Sequence, residues 1–126
     1  MRMIFVNVPV GDLSASREFY GALGFSFNEY SSDEHSAAVV VDDNIVVVLQ
    51  DRDRFREVVS GEVGDPAAAP TAVICVTATS REEVDELADK ALAAGGRPWQ
   101  TGHGDEAAYT KSFTDPDGNA WQVMWM

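Results

Sequence analysis

Three absences narrow the problem. The sequence has one cysteine, Cys75, so no internal disulfide is possible. It has two histidines, His35 and His103, too few for a metal centre built on imidazole alone. No stretch approaches the roughly 18 apolar residues of a membrane span. The N-terminus enters a strand-like run, Met3-Ile4-Phe5-Val6, with no basic leader before it, so no signal peptide is expected. With a lone cysteine inside an apolar run, a cytoplasmic location is the default expectation.

Positive charge is also scarce. Nine basic residues stand against 21 acidic ones, for a net charge of −12. Residues 1–63 and residues 64–126 each carry −6, so no acidic tail accounts for the total. This field repels nucleic acid and anionic lipid and favours cationic ligands, so neither a nucleic acid nor a membrane is an expected partner. With 126 residues and 45% apolar content, the chain suits one domain with a substantial core.

The chain reads as two similar halves. Met3 to Val8 is strand-like, and Asp12 is a natural cap for a helix over about 13–23. Leu13, Ser16, Tyr20 and Leu23 share a helix face, and Gly24 ends the helix. A strand starts at Phe25-Ser26-Phe27. Ala37 to Val41 and Ile45 to Leu49 form a hairpin about Asp42-Asp43-Asn44. The order then repeats, offset by roughly 70 residues. Thr71 to Thr77 is a strand, and Ser80-Arg81-Glu82-Glu83 reads as a capping box. Val84, Leu87, Ala88, Ala91 and Leu92 make a buried stripe before the Gly95-Gly96 stop. Strands follow near Pro98-Trp99, Ala108 to Thr114 and Ala120 to Trp125, the last two joined by the tight turn Asp115-Pro116-Asp117-Gly118.

The expected fold is therefore α+β: two βαβββ modules in tandem, each with a curved sheet, forming a central ligand cleft. Module one spans about 1–51, a linker about 52–70 and module two about 71–126, within a single domain. The linker is expected to start with a short helix near Phe55 to Val59.

The segment Phe5-Val6-Asn7-Val8-Pro9-Val10-Gly11-Asp12-Leu13, then Ser16, Phe19-Tyr20 and Leu23-Gly24-Phe25, resembles the opening of vicinal oxygen chelate proteins. The run Asp115-Pro116-Asp117-Gly118-Asn119-Ala120-Trp121-Gln122 resembles their ending. With the repeated halves, the resemblance covers the whole chain and is nearest to small glyoxalase-like bacterial members. That superfamily includes lyases, isomerases, dioxygenases and bleomycin-resistance proteins, so the fold alone leaves the function open.

The resemblance implies one divalent metal held by His, Glu or Gln from four cleft strands. Where many members carry His, this chain has Phe5, whose ring cannot ligate. Where they carry Glu, it has Gln122, whose amide oxygen is a weaker, uncharged partner. The third position lies on the strand ending Val48-Leu49-Gln50, with Gln50 as its candidate. The fourth lies near Ala72 to Ile74, where nothing can ligate. Phe5, Gln50 and Gln122 are thus read as vestigial metal positions, and no cofactor is expected. Cys75 lies nearby, on a face that alternation leaves open.

The expected ligand-binding cleft is lined by Phe5, Asn7, Gln50, Trp99, His103, Tyr109, Lys111, Gln122 and Met124. Phe5 and Asn7 share a strand face, as do Gln122 and Met124, and Tyr109, Lys111 and Phe113 share another. Trp121, Val123 and Trp125 have the opposite parity and are expected under a helix or at a subunit interface. Lys111 reads as a solvated edge charge or as a partner for an anionic group. His35 and His103 read as loop residues, with His103 also a candidate acid or base if its loop covers the cleft.

The leading expectation is a small-molecule-binding protein of the glyoxalase/bleomycin-resistance type, without a catalytic metal, that binds an aromatic or cationic compound. The resemblance also implies a homodimer. The alternative is a divalent-metal-dependent lyase, isomerase or dioxygenase with an altered ligand set. A third possibility is a protein whose cleft is vestigial and which works by associating with another chain.

Overall fold

The computed structural model describes residues 1–102 and 108–126. The chain divides into two compact units, Met1–Gly64 and Asp65–Met126. Each holds a four-stranded mixed sheet with helices, as the repeated pattern predicts. No helix among the described residues is long and apolar enough to cross a membrane.

In the first unit, β1 (Ile4–Val10), α1 (Leu13–Ala22), β2 (Ser26–Asn28), β3 (Ser36–Asp42), β4 (Ile45–Asp51) and α2 (Arg52–Val59) follow in order. The sheet order is β1-β4-β3-β2, with β1 parallel to β4 and the other pairs antiparallel. Asp12 caps α1 by accepting from the Ala15 amide at 3.1 Å. Gly24 (φ +97°) turns the chain out of the helix in a left-handed conformation. Ser16, Phe19, Tyr20 and Leu23 are buried against Ala37, Val39, Val47 and Leu49. These strand residues have one parity, so α1 covers one face of the sheet and leaves the other to the opposite parity.

The linker helix starts three residues earlier than expected. Asp51 caps it, accepting from the Arg54 amide at 2.8 Å. Arg52 then donates to the carbonyls of Val63 and Gly64, tying the end of this unit back to the start of α2.

In the second unit, β5 (Val73–Thr77), α3 (Arg81–Ala93), β6 (Arg97–Pro98), β7 (Tyr109–Thr114) and β8 (Ala120–Trp125) give the sheet order β5-β8-β7-β6. Ser80 caps α3 through the Glu83 amide. Glu83 reaches back to Thr79 rather than to Ser80, a variant of the expected capping box. Val84, Ala88 and Ala91 bury against the face of Phe113, Trp121 and Val123, where the Phe113 and Trp121 rings stack 6.2 Å apart. Trp121 and Val123 thus lie under a helix, while Trp125 is half-buried beneath the Arg81 guanidinium. Leu92 departs from the expected stripe: it is 42% exposed, at the edge of the helix face.

The turn at residues 115–118 is built around Asp115. Its carboxylate accepts from the amides of Asp117 and Asn119 and from the Asn119 side chain. Gly118 has φ +94°, and a Cβ there would stand 2.5 Å from the Ala67 Cα. The linker segment therefore packs directly on this turn, which only a glycine permits.

Candidate functional site

The faces left uncovered by α1 and α3 hold most of the residues expected to bind a ligand. In the first unit, Phe5 pairs with Val46, Asn7 with Val48 and Pro9 with Gln50. Across β3, Gln50 pairs with Ser36 and Val48 with Ala38. Phe5, Asn7 and Gln50 therefore share the open face. Phe5 is 56% exposed and offers a flat apolar surface. Gln50 is different: only 7% of it is exposed. Its Nε2 donates to the Asn7 Oδ1 at 2.8 Å. Its Oε1 is buried and meets no donor among the described residues. A buried carbonyl without a partner keeps its full desolvation cost, on the order of 1–3 kcal/mol, so it needs an explanation.

In the second unit, Cys75, Gln122 and Ser112 stand in one row of the ladder, and Thr77, Met124 and Thr110 in the next. The face of Cys75 is thereby settled: it lies beside Gln122, away from α3. The thiol is solvent-accessible, yet partial burial pushes its pKa above the usual thiol value. It is thus a protonated, weakly polar group at neutral pH.

Tyr109 and Lys111 require a correction. They pair with Trp125 and Val123, which places them on the α3 side, opposite Gln122 and Met124. There the Tyr109 hydroxyl donates to Asp85 at 2.6 Å, and the Lys111 ammonium lies 2.9 Å from the same carboxylate. Those two bonds hold the Asp85 pKa down, and Asp85 in turn raises the pKa values of Tyr109 and Lys111. Lys111 is thus paired within its own unit. The missed partner, Asp85, had a signal: it lies four residues after Arg81, whose guanidinium covers the Tyr109 ring at 5.1 Å.

Trp99 is half-buried and donates its indole N–H to the Phe113 carbonyl at 3.0 Å. His103 lies outside the described residues. His35, expected as a loop residue, has a partner that the sequence did not suggest. Its Nδ1 lies 2.7 Å from Asp51 Oδ2, and this bond raises the imidazole pKa. Asp33 and Arg54 complete a polar cluster at that end of the sheet.

With this geometry in place, comparison with known proteins is decisive for the family. The model of the glyoxalase/bleomycin resistance protein/dioxygenase superfamily matches residues 2–123. The chain belongs to this superfamily. Among solved structures, a hypothetical protein of S. aureus is 25% identical, with a TM-score of 0.84, covering 100% of this chain and 95% of its own. A glyoxalase/bleomycin resistance protein/dioxygenase family enzyme from Burkholderia phytofirmans is 19% identical, with a TM-score of 0.75, covering 99% and 98%. Lactoylglutathione lyase from Agrobacterium tumefaciens is 18% identical, with a TM-score of 0.71, covering 98% and 92%. The last two likenesses speak to fold alone. No curated protein matches the sequence.

The superfamily implies a divalent metal, and the residues present do not fit one. Phe5 and Val73 occupy equivalent places, each seven residues before its helix cap. Their ladder partners are Val46 and Ala120, so the equivalent of Gln122 is Val48, not Gln50. Gln50 corresponds to Met124, one row further along its face. The equivalent positions thus hold Phe5, Val48, Val73 and Gln122, with a single neutral donor. Among the described residues, no group of three or more His, Cys, Asp or Glu is close enough to hold a metal.

Proposed function

We propose that the chain is a small-molecule-binding protein of the glyoxalase/bleomycin-resistance type that works without a catalytic metal and takes an aromatic or cationic compound on its open sheet faces. The observation that carries this reading is the unpartnered Oε1 of the buried Gln50. An N–H or O–H from a ligand restores the missing hydrogen bond at little ordering cost, because Asn7 already holds the amide. The exposed Phe5 ring, on the same face beyond Asn7, supplies stacking area. The net charge of −12 favours a donor that is also a cation. As a proposal, the working form is a cytoplasmic homodimer.

The second reading, a divalent-metal-dependent lyase, isomerase or dioxygenase with an altered ligand set, draws on the same atom. A buried carbonyl oxygen also suits a hard cation. Among the described residues it would be the one buried side-chain oxygen left unengaged, too few for a metal, which favours the organic ligand.

The test begins with elemental analysis of dialysed protein purified without a metal-affinity tag, followed by calorimetric titration with a panel of cationic and neutral aromatic compounds. The expected result is substoichiometric metal and saturable binding that Gln50→Leu weakens about tenfold, the value of one hydrogen bond to a charged group. Stoichiometric transition metal, or no binding across the panel, overturns the reading.

A further inference from the structure

The second unit contains a cavity of about 470 Å³ that begins one ladder row from Gln122 and runs to the end of the sheet, and its lining is unusual for this chain. Four of the five prolines in the sequence, Pro66, Pro70, Pro98 and Pro116, line it together with Trp99 and Arg97. Its floor is the last row of the open sheet face, where Val73, Ala120 and Thr114 are ladder neighbours.

The walls are fixed before any ligand arrives. Proline rings have no backbone φ freedom to lose. The Trp99 indole is held by its bond to the Phe113 carbonyl. The linker wall is pinned where Ala67 seats on Gly118, and Asp65 holds that segment by accepting from the Ala67 amide at 3.0 Å. A pocket that needs no ordering loses little affinity to entropy, and its volume lies in the range of small-molecule sites.

Arg97 supplies the chemistry. It is one of nine cations in a chain of net charge −12, and its guanidinium has no hydrogen bond or ion pair among the described residues. The acid nearest to it in the lining, Asp115, is 1% exposed and has its oxygens engaged by the amides of its own turn. A guanidinium in the lining of a largely apolar pocket, with no partner among the described residues, matches a planar anion in a two-bond fork. We infer that this pocket is a second binding site, for a flat apolar molecule bearing one carboxylate, with Arg97 as its counter-ion.

The inference is tested with three probes of one shape: naphthoate, the neutral naphthylmethanol and the cationic naphthylmethylamine. Binding is read from the Trp99 indole N–H resonance in NMR titrations of the full chain. Naphthoate is expected to shift that resonance saturably and to bind about tenfold more tightly than naphthylmethanol. Arg97→Gln is expected to erase the preference, and Arg97→Lys to keep part of it, since charge survives but the fork does not. Gln50→Leu is expected to leave naphthoate binding unchanged, so this site and the one proposed above can fail separately. Equal affinity for the three probes, a preference that survives Arg97→Gln, or naphthoate binding that leaves Trp99 unmoved overturns the inference.

Discussion

Gln50→Met is the substitution that separates a residue kept for stability from one kept for binding. Methionine has nearly the volume of glutamine and no polar group that needs a partner. Removing the orphaned Oε1 relieves about 1–3 kcal/mol of unmet desolvation. Losing the bond from Nε2 to Asn7 costs about 0.5–1.5 kcal/mol, and Asn7 is exposed, so water replaces the lost donor. The balance is a stabilisation of about 1 kcal/mol. For a chain of this size that is a rise in Tm of roughly 3–5 °C. Urea unfolding should show a higher midpoint with an unchanged slope. The same variant should lose affinity for the ligand that binds the wild type. A destabilisation of more than about 1 kcal/mol would refute the reasoning, because it would mean that Oε1 already has a donor in the folded protein.

Other consequences follow from particular contacts. Gly24 and Gly118 are both left-handed, but a Cβ on Gly24 meets nothing within 4 Å, whereas one on Gly118 meets the Ala67 backbone at 2.5 Å. Gly24→Ala should therefore cost about 1–2 kcal/mol and Gly118→Ala about 2–5 kcal/mol in urea unfolding, with Ala67→Gly giving little rescue because Cα and N remain in the way. NMR titration of His35 should give a pKa above the ordinary value of 6.5, and Asp51→Asn should bring it down while keeping the helix cap. The stability His35 adds is complete below its unfolded pKa and is lost as pH rises through its raised value. Asp51, held below 3.8 chiefly by the Arg54 amide and His35, keeps its share above that value and loses it as pH falls through its lowered pKa. Lys111→Met should leave ligand affinity at the Gln50 face unchanged in calorimetry, because the lysine stands on the α3 side against Asp85.

The elements were legible in the sequence because their signals are local. A cap, a helical stripe and a glycine stop mark each helix, and Asp12 and Ser80 behave as their residue types require. Side-chain facing was legible only where burial enforces alternation, as at Trp121 and Val123. Tyr109 and Lys111 misled because their half-polar strand has no clean alternation to fix its face. Gln50, expected on the cleft face, stands on the open face, although a bulge lies between it and the turn. Asp42 pairs with Ile45, but the register shifts between Val40 and Asp42. Counting from the turn alone would set Gln50 opposite Ala37, a core residue, instead of Ser36. The His35–Asp51 bond and the proline-lined pocket join residues too far apart in sequence for any local pattern to reveal them.

The described open faces are dominated by neutral hydrogen-bonding groups. Their ladder rows offer Asn7, Gln50 and Ser36 in one unit and Gln122, Ser112, Thr77 and Thr110 in the other, all neutral hydrogen-bonding groups. Several titratable groups among the described residues stand elsewhere: Asp85, Tyr109 and Lys111 lie on the α3 side, and His35 and Asp51 bond each other at the strand ends. Cys75 and Arg97 are exceptions on the second face; the raised pKa of Cys75 keeps it a thiol rather than a nucleophile, and Arg97 stands in the row of Thr114 at the end of the sheet. General acid–base catalysis needs a group that changes protonation near the working pH and touches the ligand. Recognition needs only donors, acceptors and flat apolar area held in place. The duplicated modules differ at these positions: Val48 stands where its counterpart is Gln122, and Met124 where its counterpart is Gln50. The first face thus keeps the amides of Asn7 and Gln50 and the second that of Gln122, at positions that are not equivalent in the two modules.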